Sequence, residues 1–346
     1  MRVLVAMSGG VDSSVAASLL ADAGHDVVGA TLKLWGGASD SGCCSVADVD
    51  DARRVADEIG VAHHVFNFTD DFDASVVAPY VGDHSAGRTP NPCIECNRHI
   101  KFGTLLDRAR RLGFDALATG HHAGVDGDTG RWRLRRGADR AKDQSYVLSM
   151  LTQAELSQVL LPVGVLTKAQ VRAHAAERGL RTALKADSQD VCFIRSTEGR
   201  RGFLGDRLPL HAGEIVDSAT GAVVGTVPAV ELVTVGQRRG LGVTVDGRRL
   251  YALAVDVDAR RVVVGGADAA LSDRVGVCRP TWVDGPLETG ARAVAQTSAH
   301  GPTALCTWLG DAVVFDEPHP LVAPGQTIAL YDEDDNDTVT GSAVAA

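Results

Sequence analysis

No stretch of this sequence approaches the ~18 consecutive apolar residues that a membrane helix needs, and no positively charged start precedes an apolar stretch. The first absence excludes a helical span; together they point to a cytoplasmic protein with no membrane partner. Neither an internal repeat nor a low-complexity linker interrupts the 346 residues, and two or three domains, each able to bury a core, are expected. The seven cysteines are an odd number without a secretory leader, which argues against a disulfide scaffold and for thiol chemistry or metal binding. Positive charge is in deficit, with a net charge of −10, which speaks at first against nucleic acid. Its distribution is uneven, however. Basic clusters stand at Arg98-His99-Lys101, Arg108-Arg110-Arg111, Arg131-Arg133-Arg135-Arg136 with Arg140 and Lys142, Arg200-Arg201 and Arg238-Arg239, while Asp48-Asp50-Asp51 and Asp332-Glu333-Asp334-Asp335 hold much of the acid. A locally basic face can coexist with an acidic total.

What is present is organised around the first turn. Val3-Leu4-Val5-Ala6-Met7 is an apolar run of strand length, Ser8-Gly9-Gly10 is a bend, and Val11, Val15, Leu19 and Leu20 recur at helical spacing as far as Gly24. Strand, glycine turn and helix make a phosphate site: the glycines let backbone N–H groups approach an anion, the helix start adds its dipole, and Ser8, Ser13 and Ser14 offer hydroxyls. No Lys follows the glycines, so this is not the ATP loop built as G-x-x-x-x-G-K-S/T.

The first half alternates strand and helix. Strands are expected at Val27–Leu32, Val61–Phe68 and Ala116–Thr119. Helices are expected at Val46–Ile59, with Val46, Val49, Ala52, Val55, Ala56 and Ile59 inward, around Asp71–Val81 and at Arg98–Leu112, with a polar loop at Gly82–Asn97. The fold class is therefore α/β, a Rossmann-like parallel sheet with helices on both faces. Ligands bind at the carboxyl ends of such strands, where Ser8, Leu32 and Gly120 fall. Leu32 would pack on adenine and Gly120 would let a nucleotide approach the backbone. Two helices are expected within Thr152–Gly179. Beyond about Asp206 short β-type runs take over, among them Val230–Thr234, Val275–Arg279 and Ala312–Phe315, and suggest two small β-rich domains. The expected domains are residues 1–205, 206–270 and 271–346.

Ser8-Gly9-Gly10-Val11-Asp12-Ser13-Ser14 resembles the pyrophosphate loop of the N-type ATP pyrophosphatases, which split ATP between the α and β phosphates and adenylate an oxygen. Four further motifs are Thr89-Pro90-Asn91-Pro92-Cys93-Ile94-Glu95-Cys96-Asn97, Lys142-Asp143-Gln144-Ser145-Tyr146, Asp187-Ser188-Gln189-Asp190-Val191-Cys192-Phe193-Ile194 and Gly236-Gln237-Arg238-Arg239-Gly240-Leu241-Gly242. In this order, and with Ala323-Pro324-Gly325-Gln326, the whole chain resembles the tRNA-specific 2-thiouridylases. The resemblance implies ATP bound by Ala6, Met7, Ser8, Gly9, Gly10, Val11, Asp12, Ser13, Leu32 and Gly120, with Asp12 helping to place Mg²⁺. It implies a persulfide on Cys192, received from a cysteine desulfurase through sulfur-carrier proteins. Cys96 is then the second catalytic thiol, ending in a Cys96–Cys192 disulfide. Asn91, Pro92 and Cys93 match the segment that meets the target base; His121, Lys142, Asp143, Gln144 and Gln326 match positions that touch tRNA.

Two departures stand out: the family often has Asp at the position of Cys93, and an Arg-Tyr pair where Ser298-Ala299 aligns here. With Cys93 a thiol, Cys93, Cys96 and Cys192 could instead hold three irons of an iron-sulfur cluster, an alternative to the persulfide route. Other readings are an amide- or amidine-forming synthetase of the same fold, a nucleotide-binding module that turns nothing over, and a structural zinc site on Cys93 and Cys96 with Cys43 or Cys44. Cys278 and Cys306 read as buried small hydrophobes in strands, and His121-His122 as neighbours pointing to opposite faces of a strand. Cys43 and Cys44 have no assigned role.

Overall fold

Val3, Leu4 and Val5 are all fully buried, the pattern of a strand covered on both faces. They lie in β1 (Arg2–Ala6), which leads into α1 (Val11–Asp22), β2 (Asp26–Lys33), α2 (Val46–Ile59) and β3 (Ala62–Asn67). This computed structural model describes residues 1–35, 46–128, 130–187, 191–194, 198–241, 244–245 and 248–346. Cys43 and Cys44 lie outside the described residues. Next come α3 (residues 69–85), α4 (residues 92–111) and β4 (Ala116–Thr119). A hairpin follows, β5 (Ala123–Asp128) and β6 (Arg131–Arg136), and then β7 (Val159–Leu160).

The sheet order is β3-β2-β1-β4-β7, every pair parallel. The chain winds outward from β1 through β2 to β3, then returns to place β4 on the other side of β1. The order reverses there, and in sheets of this kind ligands bind at such a switch point, outside the carboxyl ends of the strands, here those of β1 and β4. One face of the sheet packs Val3, Val5, Val15, Val55 and Val171; the other packs Leu4, Leu32, Phe72, Ile100 and Leu117. Among the described residues no helix is long and apolar enough to cross a membrane.

Several expectations are corrected. Only the central turn of α2 is buried, through Ala52, Val55 and Ala56, and Val46 is exposed. The polar loop expected at Gly82–Asn97 shrinks at both ends because α3 runs to Ser85 and α4 starts at Pro92. Asn91 causes the second change: its Oδ1 accepts from the Cys93 and Ile94 N–H groups at 3.1 and 3.4 Å, and Pro92 fills the first helical position. Within 152–179 the first expected helix is a single turn, Gln153–Leu156, followed by the strand β7; the second, Lys168–Glu177, begins with a Thr167–Gln170 capping box.

Residues 213–265 form a four-stranded sheet around Ile215, Val227, Val262 and Val264. Val230–Leu232 is a 3-10 turn where a strand was expected. Beyond it, six strands, Leu271–Trp282, Arg292–Gln296, Thr303–Trp308, Ala312–Pro320, Thr327–Tyr331 and Thr338–Ala345, close on themselves by pairing the first with the last, which removes free edges. Thr338–Ala345, absent from the sequence reading, also pairs with β6 and so carries the β5–β6 hairpin on the outside of this barrel.

The basic cluster of β6 is not a bare cationic face. Arg131 pairs with Asp284, Arg133 with Asp126, Arg135 with Asp126 and Asp335, Arg136 with Asp143, Arg140 with Asp337 and Lys142 with Asp187. The acidic tail and the arginines that the sequence separates by some 200 positions neutralise each other in space.

Candidate active site at the carboxyl ends of β1 and β4

The bend after β1 is held by its own hydroxyls. Ser13 Oγ accepts from the Ser8 N–H at 3.1 Å, and the Ser13 and Ser14 hydroxyls donate to the Gly10 carbonyl at 3.2 and 2.8 Å. Ser13 and Ser14 are buried, so of the three serines only Ser8 faces outward. Gly9 has φ +72°, and a Cβ there would stand 2.3 Å from the Asp48 carbonyl oxygen; this turn requires glycine twice over. Gly120 stands close against the start of α1, where a Cβ on it would lie 2.5 Å from the Ser13 nitrogen. Leu32 is 7% exposed and belongs to the core.

Asp12 stands in the first turn of α1, where Lys168 Nζ donates to both its oxygens at 2.7 Å and His122 Nε2 lies 3.0 Å from Oδ1. Burial disfavours the charged carboxylate, but the hydrogen bonds from His122 and Lys168 outweigh it and hold Asp12 below the usual carboxylate range. Gln144 grips the His122 backbone on both sides, its Oε1 accepting from the His122 N–H and its own N–H donating to the His122 carbonyl, both at 2.8 Å. His121 and His122 lie just past the end of β4, not on a strand. His121 is buried, with Nδ1 2.7 Å from Thr119 Oγ1 and Nε2 3.5 Å from Lys101 Nζ. Burial, then the charges of Lys101 and His122, lower its pKa well below the ordinary imidazole value.

Lys168 reaches further, to Asp187 Oδ1 at 3.0 Å, and Lys142 and Arg172 meet the same carboxylate at 2.8 Å each. Burial raises the Asp187 pKa, but the hydrogen bonds and charges of Lys142 and Lys168 bring it far below the carboxylate range. Asp187 opens the motif that carries Cys192, whose residues 188–190 lie outside the described residues. Next to Cys192, Phe193 is buried among Phe72, Tyr80 and Phe203, with ring centroids 5.6, 5.6 and 5.1 Å away. Cys192 itself is half-buried against the same core that contains Cys96. Cys96 is not in a loop as expected: it is buried on α4, where ten residues, Cys96–Leu105, wind as a π-helix. Such widened turns recur at functional sites.

Cys93, Cys96, Cys192, Cys278 and Cys306 are thiols, not disulfides. Cys306 is buried, and burial pushes its pKa up to about 12; Cys278, expected inside, is exposed on the barrel strand Leu271–Trp282. Asp143 is buried and spent on structure: its carboxylate accepts from Gly137 N–H, Ser145 N–H and Ser145 Oγ and pairs with Arg136. Gln326 donates to the Thr89 carbonyl and ties the barrel to the segment before α4. Lys142 has a partly exposed ammonium, whereas Asn91 and Pro92 build the start of α4.

Among the described residues no three His, Cys, Asp or Glu side chains come together to hold a metal. Cys93 and Cys96, two of the thiols that an iron-sulfur cluster would use, lie within α4, and Cys192 lies on the segment that follows Asp187. Mg²⁺ is a different case, because it is usually held by one or two carboxylates with substrate phosphates and water supplying the rest; Asp12 fits the carboxylate part. Lys168 and Asp187 were not singled out as site residues from sequence. Their partners are 156 and 19 positions away, and at the sequence level Lys168 is only the residue after a helix cap.

Three family profiles cover most of the chain. One described as "tRNA methyl transferase HUP domain" matches residues 1–196, one described as "tRNA methyl transferase PRC-barrel domain" matches 201–266, and one described as "Aminomethyltransferase beta-barrel domain" matches 274–345. The tRNA-specific 2-thiouridylase MnmA of Salinispora arenicola is 46% identical over 362 residues, covering 100% of this chain and 99% of that protein. The protein of the same name from Saccharopolyspora erythraea is 44% identical over 366 residues with the same coverage. A solved 4-thiouridine synthetase–RNA complex with bound ATP aligns over 55% of this chain and 44% of that chain, with a TM-score of 0.38 and 16% identity.

Proposed function

The chain belongs to the tRNA-specific 2-thiouridylase family, whose members it matches from end to end, and on that premise we propose that it replaces the C2 oxygen of the wobble uridine of tRNA by sulfur at the expense of ATP. A uracil C2 oxygen is a poor leaving group. Its attack on the α-phosphorus of ATP, with release of pyrophosphate, turns it into one that departs as AMP. Ala6 to Ser13, Leu32 and Gly120 surround the nucleotide in this reading, with the exposed Ser8 hydroxyl and the loop N–H groups on the phosphates. Mg²⁺ held by Asp12 would neutralise phosphate charge.

Sulfur then arrives as the outer atom of a persulfide on Cys192, supplied by a cysteine desulfurase through carrier proteins. Delivery of that sulfur at the thiol oxidation level takes two electrons from the cysteine pair. Cys96 attacks the Cys192 sulfur, a Cys96–Cys192 disulfide remains, and an external thiol must reduce it before the next cycle. Cys93 and the Asn91-Pro92 turn border the target base; Lys142, Gln144 and Gln326 serve tRNA, Lys142 through a phosphate.

The observation that carries this reading is that the Asp12 loop, through Lys168 and Asp187, touches the segment bearing Cys192, while Cys96 lies in the core against which Cys192 packs. A methyl transfer, the name on the first profile, calls for neither a phosphate loop nor two thiols. The test is nucleoside mass spectrometry of tRNA incubated with the protein, ATP, Mg²⁺ and a sulfur donor. Formation of 2-thiouridine with stoichiometric AMP is expected; its absence would remove the proposal.

A further inference from the structure

The register of β1 on β2, with Ala6 beside Ala30, places Met7 beside Thr31. In a parallel ladder that ran on, the Met7 N–H would go to the Ala30 carbonyl and the Met7 carbonyl would accept from the Leu32 N–H. The first bond forms, at 2.8 Å. The second is replaced: the Thr31 hydroxyl donates to the Met7 carbonyl at 2.7 Å, and among the described residues no backbone N–H reaches that oxygen. Thr31 Oγ1 lies in turn 2.8 Å from Nε2 of His63 on β3. A carbonyl only accepts, so the single hydroxyl proton points at Met7, and His63 Nε2 carries the proton that meets Thr31 Oγ1. Nδ1 of the same ring is then a bare lone pair, buried without a hydrogen-bond partner among the described residues. Burial, then the charges of Arg53 and His64, lower the His63 pKa below the ordinary imidazole value, in keeping with a ring protonated on one nitrogen. Gly29 makes room for this packing, since a Cβ there would stand 2.6 Å from Met7 Sδ and 3.1 Å from His63 Cδ2.

The Met7 carbonyl and the Ser8 N–H belong to one planar peptide, so this peptide is held at both edges, by Thr31 on one side and by Ser13 Oγ on the other. Ser8, the loop serine that faces outward, hangs from it, and Gly9 with its positive φ follows. We propose that Thr31 and His63 are positioning residues of the nucleotide loop: His63 aims the Thr31 hydroxyl, and the hydroxyl fixes the Met7–Ser8 peptide so that Ser8 and the N–H groups after it meet the phosphates of ATP. The inference rests on the ATP-dependent reading above and adds to it two residues, on β2 and β3, that act through the loop. A hydroxyl can swing its proton to another acceptor; the imidazole N–H occupies the acceptor side of this one and leaves the proton a single aim. Without the hydroxyl, the Met7 carbonyl is a buried acceptor with no donor, which is costly. Rotating the peptide towards another donor would draw the Ser8 N–H away from Ser13, and with it the start of the loop.

The experiment uses the full chain. Thr31→Val and His63→Leu delete the two hydrogen bonds at similar size, whereas Thr31→Ser and His63→Gln keep a hydroxyl and a terminal N–H in their places. Calorimetry gives the affinity for α,β-methylene ATP, which cannot be split at the α–β bridge, and AMP release in the presence of tRNA gives kcat and the KM for ATP. Thr31→Val and His63→Leu should weaken analogue binding about tenfold, the effect of one buried acceptor left without its donor. Their kcat should fall by about 10²-fold, as expected for a loop misplaced by about 1 Å, while tRNA affinity measured without nucleotide stays at the parent value. Thr31→Ser and His63→Gln should recover most of both losses. A lower melting temperature in Thr31→Val and His63→Leu, with analogue affinity, kcat and KM below the melting range all equal to the parent's, overturns the inference in favour of a structural role. Equal losses in the Ser and Gln variants overturn it too, because the hydrogen bonds would then not be the cause. Should a deletion variant fail to fold, nitrogen NMR of the parent imidazoles decides: a proton on His63 Nε2 supports the inference and a proton on Nδ1 overturns it. A parent that does not bind the analogue at all overturns the ATP reading itself.

Discussion

Arg136 Nη1 lies 2.8 Å from Asp143 Oδ2 while its guanidinium stacks 3.7 Å from the ring centre of Tyr331. The side chains are 12% and 6% exposed, so the pair is shielded from water where the β6 hairpin, the Lys142–Tyr146 motif and the barrel meet. Asp143→Ala would leave the buried guanidinium with Gln296 and the Asn336 carbonyl but without its counter-charge, and loss of one partner of such a pair costs about 3–5 kcal/mol. Urea unfolding should show a much lower midpoint. An unchanged midpoint with weakened tRNA binding would instead return Asp143 to the role of a tRNA contact.

Asp12→Asn keeps the size of the side chain and removes the charge on which Lys168 and His122 converge. The first half-reaction, read as AMP and pyrophosphate released in the presence of tRNA, should slow by about 10²–10³-fold, the usual effect of losing one preorganised polar contact in an active site. Ser8→Ala should act in the same direction. Parent rates in both variants would mean that the loop does not hold phosphate.

Cys96→Ser and Cys192→Ser should each abolish 2-thiouridine formation and leave adenylation measurable, since activating the oxygen and delivering the sulfur use different groups. Cys278→Ser should behave as the parent does. Full sulfur transfer by either of the first two variants would dismiss that residue from the mechanism.

His84 is buried in α3, its Nδ1 3.1 Å from the Glu231 carbonyl. Burial, and next the charge of Arg200, push its pKa from 6.5 down to about 4. The folded value lies below the unfolded one, so the stability contributed by the neutral ring is complete above pH 6.5 and is lost as the pH falls towards 4. A shift of this size corresponds to about 3 kcal/mol. Thermal melting from pH 7 downward should show an acid-side loss that His84→Gln flattens; identical pH profiles would rule the imidazole out as its source.

The strand–turn–helix at residues 1–22 was legible because local pattern and tertiary role agree there: a run apolar on both faces, two glycines and a helical apolar stripe. Gly120 was legible as a close-approach glycine, but only the fold reveals that α1 is what approaches. Cys96 was misread as a loop residue since Asn91 and Pro92 signal a turn and a helix start alike, and the hydrogen bonds of Asn91 decide between them. The hairpin at 123–136 looked like a cationic patch for want of its partners, which lie as far away as Asp335 and Asp337. Cys278 occupies a β-type run as expected, yet strands alternate faces, and one cysteine without its register does not say which face it takes. Membership of the family, carried by motifs spread along the whole chain, needed no such register.

The pairing of β6 with Thr338–Ala345 has a consequence for biosynthesis. Arg135 meets Thr338, 203 positions later in the chain, so during translation the hairpin leaves the ribosome long before its neighbouring strand exists. The parallel sheet of the first half can form early, but the hairpin must wait with one strand edge unpaired, and waiting edges invite the wrong neighbours. The four arginines of β6 outnumber Asp126 and Asp128 of the same hairpin, so a positive excess remains on it while Asp335 and Asp337 are still unmade, and like charge disfavours pairing between nascent copies. The ion pairs that fasten the barrel to the first half, Arg135–Asp335 and Arg140–Asp337, thus form only after the last strand of the chain has been made.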